Sequence, residues 1–557
     1  MNKIIEKIKS RGVLFILFLV GFFLSFFNGV SLQNGEDLVS STAAFKFIRN
    51  PSIIPLMADQ LNAMELLAIP FYLIFGFNHV SLRIAQAFFL GLGIALFYLF
   101  IKNITDNKKV ALLTSLLLSS TPYFILMKNG EYPFTGFFTI TILLIFSLMR
   151  IKESKFYLIL LGIVSGLAFY YKVIMGAFVF FLLVSYLILN RENARKKLWN
   201  LKSFSIFVFF VTLGALPFIL WNIAERYGST IFVFLEGVEE TYLDFGSVIS
   251  ARFLHIREVL AGSPPRYYGE IPLIGSIVFF LFIISILYLV ERKEKEFLIY
   301  PLTFFFYIAI SSIQLNPIVP KHLYPILPLA ITTIGLAFYC FMIEFSNKGK
   351  KIATFIFSLL VAASFYNTYR VLATDNDYNL FRTEYEIGYT FRGRDMDNIY
   401  LFQPKNHGFW NSLIFTTQQT DVFLADELFE KEGEVMVILG TWSGGQVGDF
   451  HGGRPLDLKL EDLIEGVEEK RNAYIDTKLL YKEETDFRIE RRERVNSTLK
   501  EAGYSRLDVI EEVPRIDQET VYEKRHIVWV SGEKPDLISE LKALDGLDGK
   551  VMVEQIF

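Results

Sequence analysis

Apolar and polar positions divide this chain into two regimes. Up to about Val371, apolar runs long enough to cross a ~30 Å hydrocarbon layer as helices recur between short charged breaks. About eleven spans fit these runs, at 12–28, 82–101, 110–127, 132–149, 156–171, 173–189, 203–222, 272–290, 297–314, 323–343 and 352–369. Segments 38–49 and 61–76 are too short or too interrupted to span. They are expected to lie in the membrane interface as helices, with Pro70 bending the second; a re-entrant piece at 61–76 is the alternative. From about Tyr378 onward the pattern changes. β-rich runs at 398–402, 421–425, 434–439 and 526–530 alternate with helical patterns near 459–482 and 487–502, which predicts an α/β domain with a small sheet. The expected fold is a polytopic α-helical membrane domain, residues 1–369, followed by a C-terminal soluble α/β domain, residues 370–557.

The charged breaks orient the spans. Lys3, Lys7, Lys9 and Arg11 precede the first; Lys102, Lys108 and Lys109 follow the second; Arg150, Lys152 and Lys155 follow the fourth. Arg191, Arg195, Lys196, Lys197 and Lys202 follow the sixth, Arg292, Lys293 and Lys295 the eighth, and Lys348, Lys350 and Lys351 the tenth. All these breaks fall on one side, and the excess of Lys and Arg makes that side cytoplasmic. The N-terminus is then cytoplasmic. Loops 29–81 and 223–271, turns near 128–131 and 315–322, and the C-terminal domain are extracytoplasmic. Met1 to Arg11 is basic and precedes an apolar run, as in a signal peptide, but no small-x-small pattern follows; it is read as a retained first helix.

Composition narrows the classes. With 52% hydrophobic residues and a mean hydropathy of +0.39, the 557-residue chain lies outside ordinary soluble proteins. The one cysteine, Cys340, excludes a disulfide or a cysteine-based zinc site within the chain. A net charge of -3 without a basic patch argues against nucleic acid as a partner. Gly444-Gly445 and Gly452-Gly453 lack the Gly-Lys-Ser/Thr ending of a phosphate cradle and read as surface turns, and Glu490 to Arg494 reads as a solvated helix face.

The charge that composition does not explain is the pair Glu36-Asp37 in the first polar loop. Adjacent carboxylates beside a membrane suit a base or a metal ligand; the plainer reading is an N-cap of an interfacial helix. The other outside-facing ionisable residues near the membrane are Glu65, Arg83, Glu131, Lys172, Arg252, Arg257, Arg266, Lys321 and His322. Such a gathering of acids and bases is what deprotonating an acceptor and holding an anionic phosphate require. Glu131 also suits the dipole at the start of the fourth span. Lys172 and Arg83 read as snorkelling anchors, and Lys321-His322 has an interfacial anchor as its alternative. The carboxylates leave metal dependence open, since they can hold a divalent ion or act alone.

Three segments in this order resemble the GT-C class of polytopic glycosyltransferases, including the family 39 and RgtABCD-like proteins that use polyprenyl-phosphate sugars. They are Gly35-Glu36-Asp37 with the small residues of 40–44, Ile69-Pro70 to Gly76 with Ser81-Leu82-Arg83, and Lys321-His322-Leu323-Tyr324-Pro325-Ile326-Leu327-Pro328. The resemblance covers roughly residues 12–345. Departures are specific: the acidic pair is Glu-Asp rather than Asp-Glu, which leaves the identity of the base open. The His-Pro-Pro before the second span is missing, and Lys321 stands where the family has Arg, keeping the charge but not the bidentate fork. The resemblance implies transfer of a hexosyl or pentosyl group from a polyprenyl-phosphate donor to a lipid, glycan or protein acceptor on the extracytoplasmic side. Asp37, Glu36 and Glu131 are then the catalytic candidates, with Lys321, His322, Arg252, Arg257 and Arg266 for the donor phosphate. A membrane transporter or lipid flippase is the alternative, in which the same charges line a substrate path; no internal repeat supports it.

Overall fold

The computed structural model describes residues 2–27, 63–121, 132–151, 155–171, 173–190, 201–224, 273–313 and 323–375, single residues 44, 48, 256, 259 and 260, and, further on, 398–401, 422–424, 435–441, 473–479, 496–497, 499–514, 521–530 and 551–555. The chain divides into two compact units, residues 1–30 with 50–376, and residues 31–49 with 377–557.

The first unit is helical. Its described helices are α1 (Asn2–Phe27), α2 (Ala63–Phe75), α3 (His79–Thr105), α4 (Lys108–Ser119), α5 (Tyr132–Ile151), α6 (Lys155–Tyr171), α7 (Val173–Leu189), α8 (Leu201–Gly214), α9 (Leu216–Ala224), α10 (Leu273–Glu291), α11 (Ile299–Ile313), α12 (Ile326–Glu344) and α13 (Asn347–Asp375). Among the described residues, Val80–Thr105, Ile326–Glu344 and Asn347–Tyr369 are long and apolar enough to cross a membrane; six further helices are apolar but shorter. The corners follow from local chemistry. Between α3 and α4, Asp106 takes the left-handed conformation at φ 48° and donates its N–H to Lys102 O, while Asn107 Oδ1 accepts from Lys109 N and Val110 N. The expected span at 203–222 is broken in two at Ala215. Pro217 has no N–H and its ring crowds the preceding turn, so the helix restarts as α9.

Helix α3 is the packing centre, in contact with α1, α2, α4 and α5. Leu17, Gly21 and Ser25, four residues apart, form the buried stripe of α1. Gly21 meets Gly91 of α3 so closely that a Cβ on Gly91 would lie 2.5 Å from Phe18 O, and Phe18 and Phe88 rings close the contact edge to face. Gly166 of α6 packs in the same way against Gly214 of α8, and Gly162 lies against Phe207 and Phe210 of that helix. Small residues that let backbones touch are the usual means of joining helices in lipid, where apolar surface alone gives no preference for a neighbouring helix. On α7, buried Met175, Phe178, Val179, Leu182 and Tyr186 recur at helical spacing, with Phe178 against Tyr307 of α11 and Tyr186 against Phe146 of α5. At the far ends of α10 and α12, Arg292 pairs with Glu344, which also accepts from Tyr288 Oη at 3.0 Å. This pair is exposed, so solvent screens it and it adds little to stability.

Among the described residues, the second unit has seven strands in one sheet, in the order β2-β1-β3-β4-β6-β5-β7. Its strands are β1 (Asn398–Leu401), β2 (Val422–Leu424), β3 (Val435–Thr441), β4 (Ala473–Leu479), β5 (Ser505–Pro514), β6 (Val521–Val530) and β7 (Val551–Gln555). β2, β1, β3 and β4 are mutually parallel, and β6, β5 and β7 join antiparallel. The helix expected across 459–482 is overturned at Ala473–Leu479. That stretch pairs with β3 on one side and β6 on the other, and sheet pairing outweighs the helical propensity of its charged flanks. On β5, Arg506 holds the buried Asp508 through two bonds of 2.7 and 2.8 Å and lies over the ring of Trp529, opposite it on β6.

Candidate active site

Of the three sequence segments singled out above, the first is described only at the buried Ala44, and the other two are described more fully. The apolar segment at 69–76 is the second half of α2. Ala68 and Tyr72 are buried, Phe71 packs on Phe88 and Phe89 of α3, and Leu73, Ile74 and Phe75 are exposed. Gly76 ends the helix at φ +81°, a conformation that strains any residue bearing a Cβ. Asn78 then turns the chain into α3. Its Oδ1 accepts from Ser81 N at 3.0 Å, and its Nδ2 donates to Phe75 O at 3.1 Å. Ser81 Oγ donates back to Gly76 O, so side-chain bonds from both ends fix the corner.

One turn into α3 sits Arg83. A snorkelling anchor would put its guanidinium among lipid headgroups; instead the residue is 4% exposed and Nη1 donates to Oε1 of the buried Gln86 at 2.8 Å. The anchor reading is therefore corrected. A guanidinium keeps its charge at any working pH, and burying it is costly without hydrogen bonds and an anion. Its place near the positive end of a helix adds to the local preference for negative charge. The signal was present in the sequence as Arg83-x-x-Gln86, a polar pair one helical turn apart in an otherwise apolar run.

In the third segment, Leu323 to Pro328 is the buried entry to α12. Pro325 stands at the cap position, and Pro328 falls in the first turn, where a missing N–H leaves no intrahelical bond unmade. Lys321-His322 immediately precedes this entry in sequence. Lys321 and His322 themselves lie outside the described residues, as do Glu36, Asp37, Glu131, Lys172, Arg252, Arg257 and Arg266. Glu65 falls on α2. Among the described residues, no group of three His, Cys, Asp or Glu side chains could hold a metal ion.

A second polar cluster was not anticipated. α4 ends within the bundle at Ser119, and Ser119, Ser120 and Thr121 are all buried. Their hydroxyls donate to the last carbonyls of their own helix, Leu116 O and Leu117 O, at 2.9–3.0 Å. Ser120 O is reached from another helix. Ser364 Oγ of α13 donates to it at 2.8 Å, and Thr368 Oγ1 donates to the same oxygen.

Comparison with known proteins places this architecture. Residues 64–221 match the family model described as dolichyl-phosphate-mannose-protein mannosyltransferase. An uncharacterized protein of Aquifex aeolicus (strain VF5) is 28% identical over 278 residues, 47% of this chain, and the chain spans about half the length of that curated relative. The crystal structure of ArnT from Cupriavidus metallidurans in the apo state matches over 94% of this chain and 100% of its own, with 12% identity and a TM-score of 0.62. The structure of ArnT from the same organism bound to undecaprenyl phosphate matches over 94% and 99%, at 12% identity and a TM-score of 0.53. The resemblance drawn from the sequence segments is thus met by a family model over one part of the chain and by a fold over nearly all of it. The chain therefore shares its fold with the ArnT structure over 94% of its length.

Proposed function

We propose that the protein transfers a hexosyl or pentosyl group from a polyprenyl-phosphate donor to an acceptor on the extracytoplasmic side of the membrane. The observation that carries this reading is the fold match over 94% of the chain to a protein whose structure is also known with undecaprenyl phosphate bound. The family model over residues 64–221, described by a lipid-phosphate-sugar reaction, supports it independently. Asp37 or Glu36 deprotonates the acceptor hydroxyl as it attacks the anomeric carbon, with Glu131 the next candidate. The bond from the anomeric carbon to the phosphate oxygen breaks, and the leaving phosphate gains negative charge. Lys321 stabilises that charge, with His322 as a hydrogen-bond donor and Arg252, Arg257 or Arg266 as further cations. Arg83 joins this set as a buried cation on α3. In this reading about eleven spans leave the N-terminus cytoplasmic and residues 370–557 outside, so protease added to spheroplasts removes a C-terminal tag without lysis.

The deciding experiment incubates purified full-length protein with a polyprenyl-phosphate sugar and candidate acceptors. Acceptor-dependent release of free polyprenyl phosphate is expected. Asp37→Asn or Glu36→Gln should lower turnover by about 10²–10⁴-fold, as for loss of a general base. Near-normal turnover in both variants moves the base to Glu131, and no release with any acceptor overturns the proposal.

A further inference from the structure

Arg83 is buried against an acceptor that carries no charge. Gln86 is fully buried, and its Oε1 accepts from Arg83 Nη1 at 2.8 Å. Arg83, Gln86 and Phe89 follow one another at about one-turn spacing along α3. Phe89 is buried as well, and its ring meets Phe137 of α5 at 5.1 Å and Phe71 of α2 at 6.1 Å. Along α3 the pair thus falls between the corner fixed by Asn78 and Ser81 and a step of packed rings one turn further in. Little water screens a charge in such surroundings, so the guanidinium acts on an anion more strongly than a surface cation does.

The identity of the acceptor decides how much of that charge is left. A carboxylate at position 86 would take the guanidinium in a two-bond fork, with bonds about twice as strong, and would cancel its charge. An amide oxygen holds one edge, and the Arg83–Gln86 pair keeps a full positive charge. Glutamine is the weaker partner for the local fold and the better one for an anion that arrives and leaves. We infer that Gln86 is a positioning residue for the donor: its neutral oxygen fixes the Arg83 guanidinium without cancelling its charge, and that charge acts on the phosphate of the polyprenyl-phosphate sugar. This rests on the function proposed above, with Arg83 in the phosphate set. Gln86 acts through Arg83, and its signature is that stability and donor affinity part company when the acceptor becomes charged.

The test uses the full-length protein in nanodiscs, with undecaprenyl phosphate as the probe and affinity measured per folded molecule. Gln86→Glu keeps the length of the side chain and supplies the stronger partner. Its melting temperature without ligand should equal or exceed that of the parent, while its affinity for undecaprenyl phosphate should fall about tenfold or more. Gln86→Met removes the acceptor and leaves the charge, so affinity should fall less, by about threefold, and the melting temperature should drop. A purely structural role leaves affinity per folded molecule unchanged in both variants. Parent-like affinity in Gln86→Glu therefore overturns the inference; where that variant does not fold, parent-like affinity in Gln86→Met does so. A parent that does not bind undecaprenyl phosphate removes the proposed donor and this inference with it. A parent that binds it no more tightly than Gln86→Glu removes the inference and leaves the donor standing.

Discussion

Helices α3 and α13 are both of membrane-spanning length and have opposite surroundings. Both are long enough and apolar enough to cross a membrane, yet the apolar window of α3 is 72% buried and that of α13 only 33%. On α13, Phe355, Ile356 and Leu359 face outward, while Ser364 and Thr368 face the bundle. On α3, Gly91 admits the backbone of α1, and Arg83 and Gln86 place polar chemistry inside the bundle. In water, burial sorts apolar from polar. Here apolar residues lie on exposed and buried faces alike, and what marks the interior helix is a glycine at a backbone contact and a buried cation with its amide partner.

The sharpest way to break this comparison is to add volume at an interior glycine. Gly91→Leu forces carbon atoms against Phe18 O and Phe22 N, which belong to the backbone of α1 and cannot rotate away. A loss of about 3 kcal/mol or more is expected, read as a large drop in melting temperature or in the yield of folded protein. A leucine tolerated there would mean that α1 and α3 are not in backbone contact. Next in size is Arg83→Leu. Removing a buried guanidinium from the proposed phosphate set should weaken binding of undecaprenyl phosphate by about tenfold or more, with Arg83→Lys intermediate because the charge stays and the fork is lost. Equal affinities in all three proteins would reduce Arg83 to a structural role with Gln86. The smallest effect belongs to the peripheral helix. Phe355→Ala, at a position 63% exposed, should shift stability by no more than about 0.5 kcal/mol. A loss comparable to that of Gly91→Leu would show Phe355 to be covered by a partner and would erase the contrast between the two helices.

Much of the helical unit was legible because membrane-length apolar runs can do little else than form helices. α5, α6 and α7 begin and end within a few residues of the expected 132–149, 156–171 and 173–189. What hydropathy missed were events inside a run. Pro217 divides α8 from α9, and α4 is described only to Ser119 where an apolar run to 127 was expected. In the sheet, β1, β2 and β3 lie at or within two residues of the β-rich runs at 398–402, 421–425 and 434–439. β4 was missed because Asp, Lys and Thr interrupt its apolar positions, and what makes it a strand is pairing with β3 and β6, which no local window contains. Of the candidate site, the sequence supplied the segments and their order. It undervalued Arg83, since a cation near a predicted span end looks the same whether it reaches out to headgroups or turns inward. The grip of α13 on Ser120 was not legible at all, because it joins positions 244 and 248 residues apart.

The mixed sheet also bears on how the second unit assembles. β5 and β6 are consecutive and antiparallel, a local hairpin of a kind that closes in about 1–10 μs. The parallel pairs β1 with β3 and β3 with β4 need crossovers and distant partners, and such pairings form slowly. β6 is the strand that joins the two halves, with β5 on one side and β4 on the other. The early hairpin therefore presents a ready edge on which the slower parallel half can build. Until β4 arrives, that same edge is the place where a newly made chain is most open to pairing with a neighbour.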